Sequence, residues 1–191
     1  NRAFSEEKIP YKRNLAVLDR WYSGYTGYPM VDACMRCFHT TGYLNFRMRA
    51  MIASFSCNIL HLPWRDIMYP MARLMADYIS GIHISQLQMQ AGITGINSIR
   101  VYSPKKQIKD QDPECKFIKH WIPELRDYTP SEILGYDEGG LLNLKGYPDP
   151  IVDYEERRSD MLSALYEIKK SDQGQQEADR VLEKHGSRKN S

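Results

Sequence analysis

No run in this sequence approaches the ~18–20 consecutive apolar residues that span a bilayer, and the first twenty residues contain no continuous apolar stretch of the kind a secretory leader carries. A transmembrane or secreted protein is therefore not expected. Cysteine is scarce: Cys34, Cys37, Cys57 and Cys115 are scattered through 191 residues, a length that builds its own core without disulfide staples. Reduced thiols in a cytoplasmic protein are expected. There is no glycine-rich phosphate loop of the G-x-G-x-x-G or G-x-x-x-x-G-K kind, so any nucleotide cofactor must be held by another geometry. The five histidines show no paired metal-ligand spacing, which argues against a metal centre. Cys34-x-x-Cys37 has no second cysteine pair and falls on the apolar stripe of a helix, so it reads as core packing rather than as a metal or redox motif.

No segment alternates apolar and polar residues with the period of two that marks a strand, and the chain is expected to be all-α. At 42% hydrophobic and 11% aromatic it is too apolar for disorder, and one helical domain over residues 1–191 is expected. The net charge of +2 conceals a division: residues 1–110 carry fourteen basic against seven acidic side chains, whereas 111–160 carry six against twelve. A basic half suits a nucleic-acid or polyphosphate partner, because each phosphate contact releases counterions. On charge alone an ordinary solvated surface would read the same.

Helical spacing organises most of the chain. Trp21 to Pro29 is a turn-rich aromatic segment ending in a proline suited to a first helical turn, and Met30, Val31, Cys34, Cys37 and Phe38 predict a helix from there to Gly42. Leu44, Met48, Met51, Ile52, Phe55, Ile59 and Leu60 predict a second over 44–62, the most regular in the sequence. Pro63 stops it, and a third opens at Trp64, bent or restarted near Pro70. A short helix is predicted over 82–91, closed by Gly92, and 93–115 reads mostly as loop. Cys115–Leu125 has helical spacing, Thr129-Pro130-Ser131-Glu132 has cap chemistry for one more turn, and 137–149 is irregular. Residues 151–169 and 176–184 are predicted to form exposed, charged helices.

Arg47 and Arg49 lie in the most regular of these helices. Two positions apart, they are ~200° around the axis and cannot share a face. At least one guanidinium therefore points inward or into a cleft, where it needs an anion; one reading is a helix-to-helix salt bridge with Asp66 or Asp77.

Taken in order, Trp21-x-x-Gly24-x-Thr26-Gly27-Tyr28-Pro29-x-Val31-Asp32-Ala33-x-Met35-Arg36, Thr41-Gly42-Tyr43-Leu44-Asn45-Phe46-Arg47-Met48-Arg49, Ala53-Ser54-Phe55, Trp64-Arg65, Asp77, Gln88 with Ala91-Gly92, Arg100-x-Tyr102-x-Pro104-x-x-Gln107, Asp112-Pro113 and Phe117-Ile118-x-x-Trp121-x-Pro123-Glu124-Leu125 resemble the C-terminal FAD-binding domain of DNA photolyases and cryptochromes. The resemblance covers residues 11 to about 125, which makes that stretch the core and 126–191 an acidic and helical extension. It implies an all-helical domain holding FAD in a basic cavity that faces DNA. In photolyases the excited, reduced flavin donates an electron to a flipped-out pyrimidine dimer. Damaged bases flip cheaply because their stacking is already weakened.

Carried over position by position, the resemblance implies that Asp77 lies beside the isoalloxazine and pairs with Arg49. It puts Tyr43, Tyr78, Ile79 and His83 in the cofactor-binding set, Phe46, Arg47, Arg100 and Gln107 on the DNA-facing side, and Met89 against the lesion. His83 stands where photolyases usually have Asn facing flavin N5, which implies pH-dependent photochemistry, because a histidine titrates near pH ~6.5. Ile79 replaces an acidic residue near the ribose, and Phe46 replaces an Asn. Of three relay tryptophans only the middle one, Trp64, is present; Leu87 and Tyr11 occupy the inner and outer positions.

Nothing between Asn1 and Arg20 matches the family's phosphate-holding loop, so the missing N-terminal part of the same protein is an expected partner. The implied activity is light-driven DNA repair, with His83, Trp64 and Met89 in the catalytic roles and the acidic stretch 112–160 away from the DNA face. The rival readings are a cryptochrome-like blue-light photoreceptor that binds FAD without repair, and a relative that binds nucleic acid or protein with no working flavin.

Overall fold

The computed structural model describes residues 9–94, 101–136, 144–172, 174–176 and 179. In chain order the helices are α1 (Leu15–Ser23), α2 (Pro29–Thr41), α3 (Phe46–Asn58), α4 (Trp64–Leu74), α5 (Ser80–Gln90), α6 (Pro104–Gln111), α7 (Lys116–Trp121), α8 (Pro130–Gly135) and α9 (Tyr154–Lys170), with a 3-10 turn at Pro123–Leu125. Among the described residues there is no strand, in keeping with the absent period-two pattern, and no helix long and apolar enough to cross a membrane.

Local chemistry sets the boundaries. Pro29 takes the first position of α2, and Gly42, at φ 69°, closes it in the left-handed conformation that lacks a steric cost only for glycine. Asn45 caps α3 by accepting from the Met48 N–H at 3.0 Å, so the helix starts two residues inside the predicted span. It ends at Asn58, three residues before His61 adopts φ 53°. Pro70 lies inside α4 without dividing it, and Gly92 follows α5 at φ 73°. Thr129 and Glu132 make the reciprocal cap that opens α8.

Two helices go beyond those expected from the sequence. Trp21, Tyr22 and Ser23 are not turn but the last residues of α1, which Asn14 caps and Gly24 closes at φ 71°. The 93–115 segment is not mostly loop either: Ser103 accepts from the Lys106 N–H, Pro104 takes the first position, and α6 follows. Ile108 is the one strongly apolar residue in α6 beyond its opening proline, so spacing carried no signal there. α9 begins at Tyr154 rather than 151 because Asp153 is its cap. Of the stretch 137–149, expected to be irregular, residues 137–143 lie outside the described residues, as does nearly all of the predicted 176–184 helix.

α2 and α3 form the centre of the core, with Val31, Met35, Phe38, Met51, Ile52 and Phe55 fully buried. α2 packs against α1, α3, α6 and α7, and α3 packs against α4, α5 and α9. Cys34 and Cys37 sit in this core as free thiols, and burial pushes the Cys34 thiol well above its ordinary range. Two polar clamps bind the α1–α2 loop to distant chain. Arg36 holds both carboxylate oxygens of Glu124 at 2.9 Å and donates to the Gly24 carbonyl at 3.0 Å. Buried Asp32 accepts from the Thr26 N–H at 2.8 Å, the Thr26 hydroxyl at 2.6 Å, the Gly27 N–H at 3.0 Å and the Tyr147 hydroxyl. Those donors offset part of the desolvation that raises the Asp32 carboxyl.

Candidate functional site

The facing sides of α3 and α5 wall an apolar cleft. Phe46, Arg49, Ala50 and Ala53 recur at intervals of three and four on α3, as do Ile82, His83, Gln86, Leu87 and Gln90 on α5, the spacing that places side chains on one stripe. Met71 and Met75 extend the lining from the end of α4, and Tyr43, Leu44, Asp77 and Ile79 supply it from the loops. The cavity measures about 380 Å³, within the range of roughly 300–1,000 Å³ typical of ligand sites.

Helical geometry separates the two arginines of α3: Arg49 lines this cleft, and Arg47 lines a second opening. Arg49 Nη2 pairs with Asp77 Oδ2 at 2.9 Å, its Nε donates to the Leu44 carbonyl at 2.6 Å, and its guanidinium lies 5.3 Å from the Tyr43 ring centre. The Asp77 side chain is 53% exposed and that of Arg49 19%, so the pair stands at the cleft's edge rather than in the interior. The hydrogen bond from Arg49 holds the Asp77 carboxyl below the usual carboxylate range. Asp66, the other candidate partner, lies 3.7 Å from Arg13 instead.

His83 is buried, and its Nε2 lies 2.9 Å from the Met68 carbonyl. A carbonyl only accepts, so Nε2 carries the proton, and in the neutral ring Nδ1 is the acceptor. Burial pushes the imidazole below its ordinary range, and the charge on Arg49 adds to that. The neutral form is therefore the one present at pH 7. Tyr78 meets the same ring edge-on at 5.6 Å. On the same wall, the Gln86 Oε1 is buried and has no hydrogen-bond partner among the described residues, which leaves an acceptor that an occupant's N–H would satisfy.

The second opening, a groove of about 720 Å³, runs between the start of α3, α6 and α9, and Arg47 and Gln107 both line it. Tyr154, Glu155 and Arg158 of α9 share that lining, so the 112–160 stretch is not held wholly apart from the face carrying Arg47. Trp64 is buried in α4 beneath Arg65, whose guanidinium lies 4.5 Å from its ring, and neither Trp64 nor the half-buried Met89 lines the cleft. Leu87 does line it, and the Tyr11 hydroxyl donates to the Ala91 carbonyl at 2.8 Å. Arg100 lies outside the described residues. Sequence reasoning overlooked Gln86 and Gln90, which the four-residue spacing from Ile82 marks as neighbours on one stripe, and it overlooked Lys106, Arg158 and Tyr166, for which no local signal exists.

Among the described residues, then, the chain is an all-helical domain with an apolar cleft and an ion pair at its rim. The model of the FAD-binding domain of DNA photolyase matches residues 1–167, and the chain belongs to that family. It is similar to the deoxyribodipyrimidine photo-lyase of Thermus thermophilus, 32% identical over 155 residues, which cover 80% of this chain and 33% of that protein. It is also similar to a cryptochrome DASH from Natronomonas pharaonis, 33% identical over 162 residues, 80% of this chain and 34% of that one. Among solved structures, the archaeal photolyase from Sulfolobus tokodaii with two FAD molecules superposes with a TM-score of 0.77 at 36% identity, covering 83% of this chain and 36% of that one. The chain thus spans about a third of the length of the relatives it matches.

FAD is the cofactor of this family, and the cleft suits its ring end. An isoalloxazine presents an imide N–H and carbonyl oxygens along one edge of an otherwise apolar plane. The Gln86 oxygen, the Arg49 guanidinium and the aliphatic walls match that pattern. For the diphosphate, Arg49 is the one cationic side chain among the described residues lining the cleft.

Proposed function

We propose that this chain is the flavin-facing helical part of a light-driven DNA repair protein of photolyase type, which splits the carbon–carbon bonds of a pyrimidine dimer. The observation that carries the reading is the division made by the first turn of α3: Phe46 and Arg49 turn to the apolar cleft, while Arg47 turns to the groove that also holds Gln107. A cofactor in one and a nucleic-acid strand in the other would meet across a single helical turn. FAD, when bound, supplies the light absorption and the electron. Arg49, fixed by Asp77 and Leu44, offers a cation to the ring's polar edge. Met71 and Leu87 keep water from the cleft, and His83 holds its proton at Nε2 against the Met68 carbonyl.

In this reading residues 1–191 act as one helical body, and the phosphates of FAD are held by groups other than those lining the cleft, with the N-terminal part of the same protein as the expected source. Four free buried thiols support a reducing, cytoplasmic setting. A cryptochrome-like photoreceptor is the second reading, favoured by Leu87, an aliphatic side chain on the cleft wall at the position where the resemblance puts the inner relay ring.

The test uses the purified full-length protein: its absorption spectrum, and the loss of cyclobutane dimers from irradiated oligothymidylate under blue light and in the dark. Flavin bands with light-dependent dimer loss support repair. Flavin bands without dimer loss favour the photoreceptor, and an absence of flavin bands overturns both.

A further inference from the structure

A hydrogen-bond chain runs through the core from one opening to the other. Ala50, Ser54 and Asn58 recur at intervals of four along α3, so they share one stripe. Ala50 lines the cleft, and Ser54 and Asn58 continue the stripe as buried polar side chains. Asn58 Nδ2 donates to the Gln90 carbonyl at 3.0 Å and to the Ser54 hydroxyl oxygen at 3.0 Å. That oxygen also accepts from the Tyr102 N–H at 3.2 Å, and the Tyr102 carbonyl accepts from the Tyr154 hydroxyl at 3.2 Å. Gln90 ends α5 and lines the cleft, whereas Tyr102 and Tyr154 line the groove. The cleft wall is thereby joined to the first residue of α9.

Asn58 is the pivot of this chain. Its Oδ1 is buried with no hydrogen-bond partner among the described residues, so the amide is positioned by the bonds its nitrogen donates. Those bonds bridge α3 and α5, the two helices that wall the cleft. An occupant that fixes their separation keeps the Gln90 carbonyl within reach of Asn58. A shift of α5 strands a buried N–H, a costly state that the amide relieves by turning. Turning it withdraws the donor that orients the Ser54 hydroxyl, and with it the seat of Tyr102. We infer that Asn58 is a positioning residue that couples occupancy of the cleft to the seating of residues 101–103 and of α9 on the core. The coupling is reciprocal: whatever anchors Tyr154 also favours the occupied cleft. The inference takes flavin as the occupant from the reading above, and it needs no ligand in the groove.

The test is amide hydrogen exchange of the full-length protein with and without FAD, resolved by segment. In the wild type FAD should slow exchange in α5 and, by about fivefold or more, at 101–103 and 157–161, a factor at the low end of ordinary coupling between sites. Asn58→Leu keeps the size of the side chain and removes both donors. Slowing should then persist in α5 and vanish at 101–103 and 157–161. Tyr154→Phe deletes the last link and keeps the ring, so the slowing at Tyr102 should survive and that at 157–161 should be lost. If Asn58→Leu does not fold, Tyr154→Phe carries the test.

Slowing confined to α5 in the wild type would overturn the inference. So would an Asn58→Leu protein that exchanges faster throughout yet keeps the FAD-dependent slowing at 101–103, since that pattern belongs to a residue that only stabilises the fold. If the full-length protein binds no flavin, the cofactor reading fails by itself, and denaturant titrations without cofactor decide for the chain of bonds. Losses from Asn58→Leu and Tyr154→Phe that do not add in the double variant support it, and additive losses overturn it.

Discussion

His83 donates its Nε2 proton to the Met68 carbonyl at 2.9 Å, which ties a cleft-lining side chain of α5 to the backbone of α4. Because burial depresses the imidazole, the unfolded chain binds a proton more readily than the folded one as pH falls below about 6.5. Stability contributed by the neutral ring is therefore present above that pH and is lost as pH falls toward the depressed folded value. Melting temperatures from pH 5 to 8 should show wild type losing ground to His83→Asn on the acid side. A constant offset between the two across the range contradicts the assignment. The same titration sets the pH window in which His83 would alter flavin photochemistry, which lies below neutrality.

The Arg49–Asp77 pair should matter more to the cofactor than to the fold. Asp77 is half in water, where an ion pair adds little to stability, yet it orients the guanidinium at the edge of the cleft. Asp77→Asn should leave the melting temperature nearly unchanged and weaken flavin binding by roughly tenfold, the scale of one charge-assisted contact. Flavin titration by fluorescence quenching measures it, and a large melting shift with unaltered flavin affinity would make the pair a structural element instead.

The Asp32–Tyr147 clamp predicts an alkaline weakness. Burial, followed by the neighbouring carboxylate, pushes the Tyr147 hydroxyl well above its ordinary range, so the folded state keeps a proton that the unfolded state releases from about pH 10 upward. Stability should fall as pH rises past that point. Tyr147→Phe should cost about 1–3 kcal/mol at neutral pH, the scale of a lost donor to a buried acceptor, and should remove this tyrosine's share of the alkaline decline. Denaturant titrations at pH 7 and above pH 10 separate the two effects.

Two glycines with similar backbone angles should respond differently. Gly27 has φ 81°, and a Cβ there would lie 2.5 Å from the Asp149 carbonyl group and the Pro150 nitrogen, whereas Gly146, at φ 86°, has open space around it. Gly146→Ala should cost about 1–2 kcal/mol, the left-handed penalty alone. Gly27→Ala should cost roughly 3 kcal/mol or more, because backbone must also move. Equal losses would mean that the 149–150 segment yields easily.

The amino-acid sequence by itself determined the all-helical class, the order of most helices and the family. The family comes from the ordered series of motifs between Trp21 and Leu125; the helical class and the helix order follow from short-range physics: apolar residues at three- and four-residue spacing, Pro29 and Thr129-x-x-Glu132 at helix starts, and Gly42 and Gly92 at helix ends. The sequence also required Arg47 and Arg49 to diverge, since their angular separation is a property of any helix. α6, defined by its cap rather than an apolar stripe, escaped notice because Ser103 acts through a single hydrogen bond and leaves no periodic trace; α1 does carry helical spacing in Leu15, Leu18 and Tyr22, and the turn residues that follow Trp21 obscured it. The motif resemblance already joined Arg49 to Asp77, and the tertiary structure places the pair at 2.9 Å; only the tertiary structure decided that the His83 proton is committed to a carbonyl fifteen residues away, and that α9 brings Arg158 and Tyr166 to the groove that Arg47 lines. Those relationships join segments remote in sequence, and they depend on how helices pack across a shared core, which no local pattern encodes.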